Sequence, residues 1–289
     1  MPLIDPIRML RKKRVLVTGG SGFLGAHLVP ELRKVCGAVA LYNKDVRSID
    51  RYAKKFDIVC HLAGIGKVPD NGSIETMFDV NCCGTLAVLN YCRRTGAACV
   101  FASSAAVYTP SGRRRLLDED APTGPVLTYG ASKLLAEKIC RHQARNFYID
   151  VTVLRIFNPY GPGQREPYFI PYVVKALRND KRIVLKTPDV VRDFIHVSDV
   201  AKAFVAACAK PKAGFRVYNV GTGEGVRVRD VVRLASRFFG SKPRIAEDPL
   251  MAALRNYVIA DTGKIFMDLG WRSSVAFEDG LRSVIESAE

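Results

Sequence analysis

A chain of 289 residues, 48% hydrophobic and 25% charged, is long enough to bury one large core or two closely joined ones and has the composition of a folded globular protein. Its formal charge of +16 favours anionic partners. The cations are scattered, with runs only at 11–14 and 113–115, so nucleic-acid binding is disfavoured, and no apolar stretch approaches the ~18 residues of a membrane span. Residues 1–14 contain Pro2 and Pro6, end in four basic residues and lack the apolar run of a signal peptide. Strand-like runs follow at 14–17, 38–42, 57–62, 98–102 and 151–156. Helical patterns at 26–34, 73–94 and 129–145 separate several of them. This alternation predicts an α/β fold with a doubly wound parallel sheet. After the Pro/Gly cluster at 158–164 the chain is less regular, with short helices expected over 171–179, 199–209 and 228–239 and a smaller C-terminal lobe.

The segment Val15-Leu-Val-Thr-Gly-Gly-Ser-Gly-Phe-Leu-Gly25 runs from a strand through a glycine turn into a helix. Gly19 suits a tight turn, Gly22 allows backbone to approach a pyrophosphate, and Gly25 permits close helix–strand packing. The helix start offers free N–H groups and a positive dipole end to phosphates. This makes 12–165 a dinucleotide-binding unit, rejoined by about 192–220, with 166–191 and 221–289 forming the smaller lobe.

Ser103-Ser104 leaves the strand at 98–102, and Tyr129-Gly-Ala-Ser-Lys133 opens a helix about 25 residues later. Tyr129 and Lys133 at i and i+4 share one helical face. An ammonium beside a phenol stabilises the phenolate, as would a positive nicotinamide ring, so the Tyr129 pKa is expected to fall and the residue to exchange the proton that accompanies hydride transfer. Ser104 is placed to orient the same oxygen. The eight cysteines form no Cys-x-x-Cys pair and no zinc-ligand spacing, and read as reduced, packed thiols of a cytoplasmic protein, Cys82 and Cys83 included. None of the four histidines has a second ligand at metal spacing. Trp271 is expected to anchor the small lobe.

These segments, with His61-Leu-Ala-Gly64, Asn81 and Gly84-Thr85, Ser103-Ser-Ala-Ala-Val-Tyr108, Asn158-Pro-Tyr-Gly-Pro-Gly-Gln164, Arg192-Asp-Phe-Ile-His-Val197 and Tyr218-Asn-Val-Gly-Thr-Gly223, resemble the extended short-chain dehydrogenase/reductases of the nucleotide-sugar epimerase/dehydratase family. The resemblance implies a doubly wound parallel Rossmann sheet with a smaller C-terminal substrate-binding lobe. It implies catalytic Ser104, Tyr129 and Lys133, with Tyr129 and Lys133 also meeting the cofactor, the lysine at its ribose. Gly19, Ser21, Gly22, Phe23, Leu24, Asn43, Lys44, Asp45, Val46, Leu62, Ala63, Gly64, Ile156 and Phe157 would meet the cofactor. Ser104, Asn158, Arg192 and Arg255 would meet an anionic nucleotide-sugar substrate. A homodimer through the helices at 73–94 and 129–145 also follows from the resemblance.

Several departures narrow this. Asn43 stands where an acidic residue would hold the NAD ribose, followed by Lys44 and Arg47, so the cofactor is NAD or NADP, with NAD first. The helix between the second and third strands is too short to be present. Ala105-Ala106 replaces the acidic pair of dehydratases, and no cysteine follows Ser104 as in 3,5-epimerase/reductases. Lys186-Thr-Pro188 replaces the turn before Arg192. The basic run Arg113–Arg115 either supplies contacts to an anionic substrate or is a solvated loop. The expected activity is therefore 4-epimerisation of a nucleotide sugar. The alternatives are ketoreduction of a nucleotide-linked keto-sugar and a non-catalytic dinucleotide sensor.

Overall fold

The computed structural model describes residues 6–66, 73–247 and 256–287. In chain order its elements are α1 (Pro6–Leu10), β1 (Arg14–Thr18), α2 (Phe23–Val35), β2 (Ala38–Tyr42), β3 (Ile58–His61), α3 (Ile74–Phe78), α4 (Gly84–Thr95) and β4 (Ala98–Ser104). Then come β5 (Leu116–Leu117), α5 (Thr128–Phe147), β6 (Val151–Ile156), β7 (Asn158–Tyr160), α6 (Phe169–Arg178), β8 (Ile183–Leu185), β9 (Val191–Arg192) and β10 (Phe194–His196). The chain closes with α7 (Val197–Ala209), β11 (Phe215–Val220), β12 (Val226–Arg227), α8 (Val228–Phe238), β13 (Ile245–Glu247), β14 (Tyr257–Ala260), α9 (Gly263–Leu269) and α10 (Phe277–Ser287).

Six strands form one parallel sheet in the order β11-β6-β4-β3-β1-β2. Their continuous apolar runs are what a sheet covered on both faces demands, and β1, β3 and β6 are buried almost throughout. One face packs Val15, Val17 and Cys60 against Leu28 and Leu32 of α2 and Val200 and Phe204 of α7. The other packs Leu16, Val59 and Phe101 against Val88 and Leu89 of α4 and Ala136 and Cys140 of α5. A further apolar cluster joins α6, α8 and α10 through Val173, Val232 and Leu281.

Three details differ from the sequence reading. The helix expected over 73–94 is interrupted: α3 passes through a single π turn, Asp79–Cys83, before α4 resumes. Such a turn inserts one residue into the helical repeat and swings its side chains to a new bearing. Cys82 is buried, but the same turn leaves Cys83 exposed rather than packed. Trp271 joins the α2–α7 core and donates Nε1–H to the Asp199 carbonyl at 3.1 Å, so it anchors the C-terminal segment to the sheet's own flank. Between β2 and β3, in agreement with the sequence, no α-helix forms: a short 3-10 turn, Val46–Arg51, takes its place, with Val46 and Ile49 buried in the α4 face.

A buried ion pair fixes the middle of the sheet to α5. Arg155 of β6 donates to Glu137 at 2.8 Å, with both side chains almost fully enclosed. Arg155 also donates to the Tyr108 hydroxyl and the Glu119 carbonyl, and Ser103 donates to Glu137. Such a pair is weak evidence of net stability, but losing one partner would strand a buried charge. Its location directly behind Ser104 makes the end of β4 a rigid platform.

Candidate active site

β1 ends in Thr18, and the chain reverses through Gly19, whose φ of +69° suits glycine. A Cβ at Gly19 would lie 2.6 Å from the Ala63 nitrogen, so only glycine lets this turn pass beneath the loop after β3. Gly22 is the N-cap of the 13-residue α2 and supplies no side-chain capping bond. The first-turn N–H groups of α2, at Phe23 and Leu24, are thus left without a side-chain acceptor, the arrangement that receives a phosphate. Beside it lies a cavity of about 320 Å³ lined by Gly19, Ser21, Asn43, Lys44, Asp45 and Ala63, among others. Asp45 caps the following 3-10 turn and grips Arg47 at 2.6 Å, whereas Lys44 makes no ion pair among the described residues. Polar ends on β1 and β2, glycine backbone and an uncapped helix fit a dinucleotide.

The loop Leu62-Ala63-Gly64 is held by a buried polar network. His61 is fully buried; its Nδ1 lies 2.8 Å from the Thr18 hydroxyl and its Nε2 3.0 Å from the Thr85 hydroxyl. Thr85 donates to the Asn81 carbonyl, so its oxygen accepts from His61 Nε2–H, while Nδ1 accepts from Thr18. Thr18 in turn accepts from the Ala63 N–H. Every group is satisfied with the imidazole neutral, and burial together with the charge of Lys133 pushes its pKa down to about 3. Asn81, carried on the π turn, accepts from the Ile65 N–H at 2.7 Å and donates to the Ile65 carbonyl and to Ser132.

Tyr129 and Lys133 sit on the first turns of α5, which abuts the turn after β4. A Cβ at Gly130 would collide with the Ala106 carbonyl, so glycine sets this approach. Ser104, at the end of β4, accepts from the Ala106 N–H, and its hydroxyl neighbours the Tyr129 phenol. Lys133 is buried, donates to the Ala102 carbonyl at 2.9 Å and lies 6.0 Å from the Tyr129 ring centroid. A Cβ at Gly64 would stand 3.2 Å from its ammonium, so lysine and loop meet directly. The expected fall in the Tyr129 pKa is not what the protein alone produces. Burial pushes it up to about 12, with the Ser104 hydroxyl pulling the other way. Lys133 is itself pushed down to about 8 by burial and is aimed at a carbonyl rather than at the phenol oxygen. Lowering the phenol therefore needs an added positive charge.

Ile156 closes β6 in register with Ser104 and Val220, and Phe157 follows it; both side chains are buried in the cores and neither lines the cavity beside Gly19. Asn158 donates through both its backbone N–H and its side-chain amide to the Asp193 carbonyl, which places it beside Arg192. Arg192 is partly buried without a carboxylate partner among the described residues and is held by the Asn256 side chain. Arg255 lies outside the described residues. Arg114 and Arg115 are not brought to this crevice; they line a different cavity, on β5's other side.

Residues 15–221 match the model of the NAD dependent epimerase/dehydratase family. The chain belongs to that family. Over 321 residues it is 31% identical to a UDP-glucose 4-epimerase of Azospirillum brasilense, covering 95% of this chain and 90% of that one. It is 28% identical over 298 residues to a GDP-6-deoxy-D-mannose reductase of Pseudomonas aeruginosa, covering 96% and 97%. The solved structure of MoeE5 in complex with UDP-glucuronic acid and NAD superposes with a TM-score of 0.86 at 30% identity, covering 95% of this chain and 98% of that one.

This family member is an NAD(P)-dependent epimerase or oxidoreductase on an α/β Rossmann sheet. Its site also uses residues that motif reading left without a role. Thr18, Thr85 and Asn81 position the loop after β3, and Asp193 accepts from Thr222, Gly223 and Ala260 to shape the loop behind Arg192. Asn81 and Thr85 sat within recognised motifs, but nothing local signalled their partners.

Proposed function

We propose that this protein is a nucleotide-sugar epimerase of the 4-epimerase type. The observation that carries the reading is the meeting of Ser104, Tyr129 and Lys133 at the edge of the dinucleotide crevice, with Ala105 and Ala106 offering no acid to expel water from a sugar. Gly19, Ser21 and the uncapped start of α2 would hold NAD, which would supply a reversible hydride acceptor and the positive charge that lowers the phenol. Tyr129 accepts the hydroxyl proton as the carbinol C–H bond breaks and gives it back when that bond re-forms on the opposite face. Ser104 holds the reacting oxygen, Lys133 stabilises the phenolate, and Asn158 and Arg192 grip the diphosphate. Net consumption of cofactor is zero.

Ketoreduction is the second reading, and one observation favours it: Asn43 and Lys44, the latter without an ion pair among the described residues, border the cavity at the end of β2, where a 2′-phosphate of NADP would sit. A non-catalytic sensor would not need the three catalytic side chains together. Purified protein that interconverts a nucleotide sugar with bound NAD unconsumed supports the epimerase, whereas stoichiometric use of NADPH supports the reductase. Tyr129→Phe is expected to lower turnover at least about 100-fold while leaving cofactor affinity unchanged; unchanged turnover would remove Tyr129 from its role. Unpaired thiols fit a reducing cytoplasm.

A further inference from the structure

Two arginines of the basic run, which the active site does not use, line a second cavity. That cavity, about 460 Å³, is bounded by Arg114, Arg115, Leu116, Ile259 and the turn Gly223-Glu224-Gly225. Strand register decides which side of the protein it occupies. In the small sheet β12-β9-β14-β5, Arg192 pairs with Val258, and Ala260 pairs with Leu117. These side chains therefore share one face, and Leu117, Val258 and Ala260 pack there with Phe157 and Ala105, toward Ser104. Val191 pairs with Tyr257, and Ile259 pairs with Leu116, so these point the opposite way. A Cβ at Gly225 would run into Val191 and Ile259, which confirms that the cavity lies on this outer face. Arg227 pairs with Val191 and adds a further cation on that face. The cavity thus backs onto the strands that carry Arg192 but does not share its face.

Its chemistry is specific. Arg114, Arg115 and Arg227 are exposed and form no ion pair among the described residues; Glu224 is the single carboxylate at the rim. Leu116, 52% exposed, and Ile259 provide an apolar floor, and the glycines leave the wall free of side chains. Guanidinium forks match phosphate oxygens, and about 460 Å³ is the size of a small-ligand pocket.

We propose that this outer-face cavity is a second ligand site that takes a nucleoside phosphate, the arginines on the phosphates and Leu116 and Ile259 against the nucleoside. Leu117, next in the chain, accepts from Asn219 and Asp261, and Ala260 donates to Asp193 beside Arg192. An occupant therefore bears on the strands that hold the catalytic-face arginine.

The test is calorimetric titration of the full-length protein, saturated with NAD, with uridine diphosphate. Two binding events are expected. R114A/R115A should lose one and keep the other, and R192A should do the reverse; circular dichroism checks that each variant folds. An isotherm for R114A/R115A identical to that of the unchanged protein overturns the proposal, as does a single event that R192A alone abolishes. R114K/R115K keeps the charge without the fork and should weaken the outer event at least about 5-fold; unchanged affinity would overturn recognition by the fork. Inorganic pyrophosphate should bind there more weakly than uridine diphosphate, and equal affinity would overturn the assignment to a nucleotide. None of these readouts depends on turnover, so the result is separable from the proposed epimerase activity.

Discussion

At the scale of single residues, the site is set by burial as much as by charge. Lys133 is held inside at a pKa of about 8, below the ordinary 10.5. Between those two values the unfolded chain is protonated while the folded one is neutral, so stability rises with pH across that window. Below pH 8 the buried ammonium costs about 3 kcal/mol. Lys133→Met is accordingly expected to raise the denaturation midpoint at pH 7 while abolishing turnover, with the stability difference shrinking toward pH 10.5; urea titrations at several pH values check it. Asn43 poses a different question. Asn43→Asp places a carboxylate at the ribose end of the cavity, where it can hydrogen-bond two hydroxyls but repels a 2′-phosphate. The ratio of NAD to NADP affinity should rise by about 10-fold or more, as fluorescence titration of the reduced cofactors would show.

At the scale of elements, β3 and the π turn form one device. His61 is neutral in the fold and titrates near 3, whereas it titrates near 6.5 when exposed, so stability is lost as pH falls from about 6.5 toward 3. The loss reaches up to about 5 kcal/mol, and His61→Gln, which keeps a donor and an acceptor but cannot titrate, should flatten the acid limb of the unfolding curve. The way this device escaped the sequence reading shows what was legible. The strand–glycine turn–helix and the Tyr129/Lys133 spacing are local patterns, and the structure contains both. The missing helix after β2 was legible too, because chain length alone limits what fits. The Thr18–His61 bond spans 43 positions, and the π turn inside an apolar helical pattern carries no periodic signature. The upward push on the Tyr129 pKa escaped the sequence for a related reason: desolvation belongs to the packed protein, while the i, i+4 ammonium is visible in the sequence.

At the scale of the whole molecule, α4 and α5 lie side by side over one face of the sheet and leave Leu86 and Leu135 exposed at 37% and 44%. We propose that these helices pair with their equivalents in a second copy, in a four-helix contact. Sedimentation should give twice the chain mass, and Leu86→Glu with Leu135→Glu should shift it toward the monomer; monomer mass at all concentrations would remove the proposal. Part of the charge of +16 gathers on the outer face of the small sheet, at Arg114, Arg115 and Arg227.

The edge strand β11 pairs along its whole length with β6, although the chain visits β7 to β10 and α7 between them. A fragment ending near residue 165 would therefore present β6, every residue of which is buried in the intact chain, as a bare edge with a row of unpaired N–H and C=O groups. During synthesis the same edge waits for its partner until residue 220 has emerged. The cofactor half is thus not a separable module, and a truncation meant to isolate it should yield aggregates rather than a smaller binding protein.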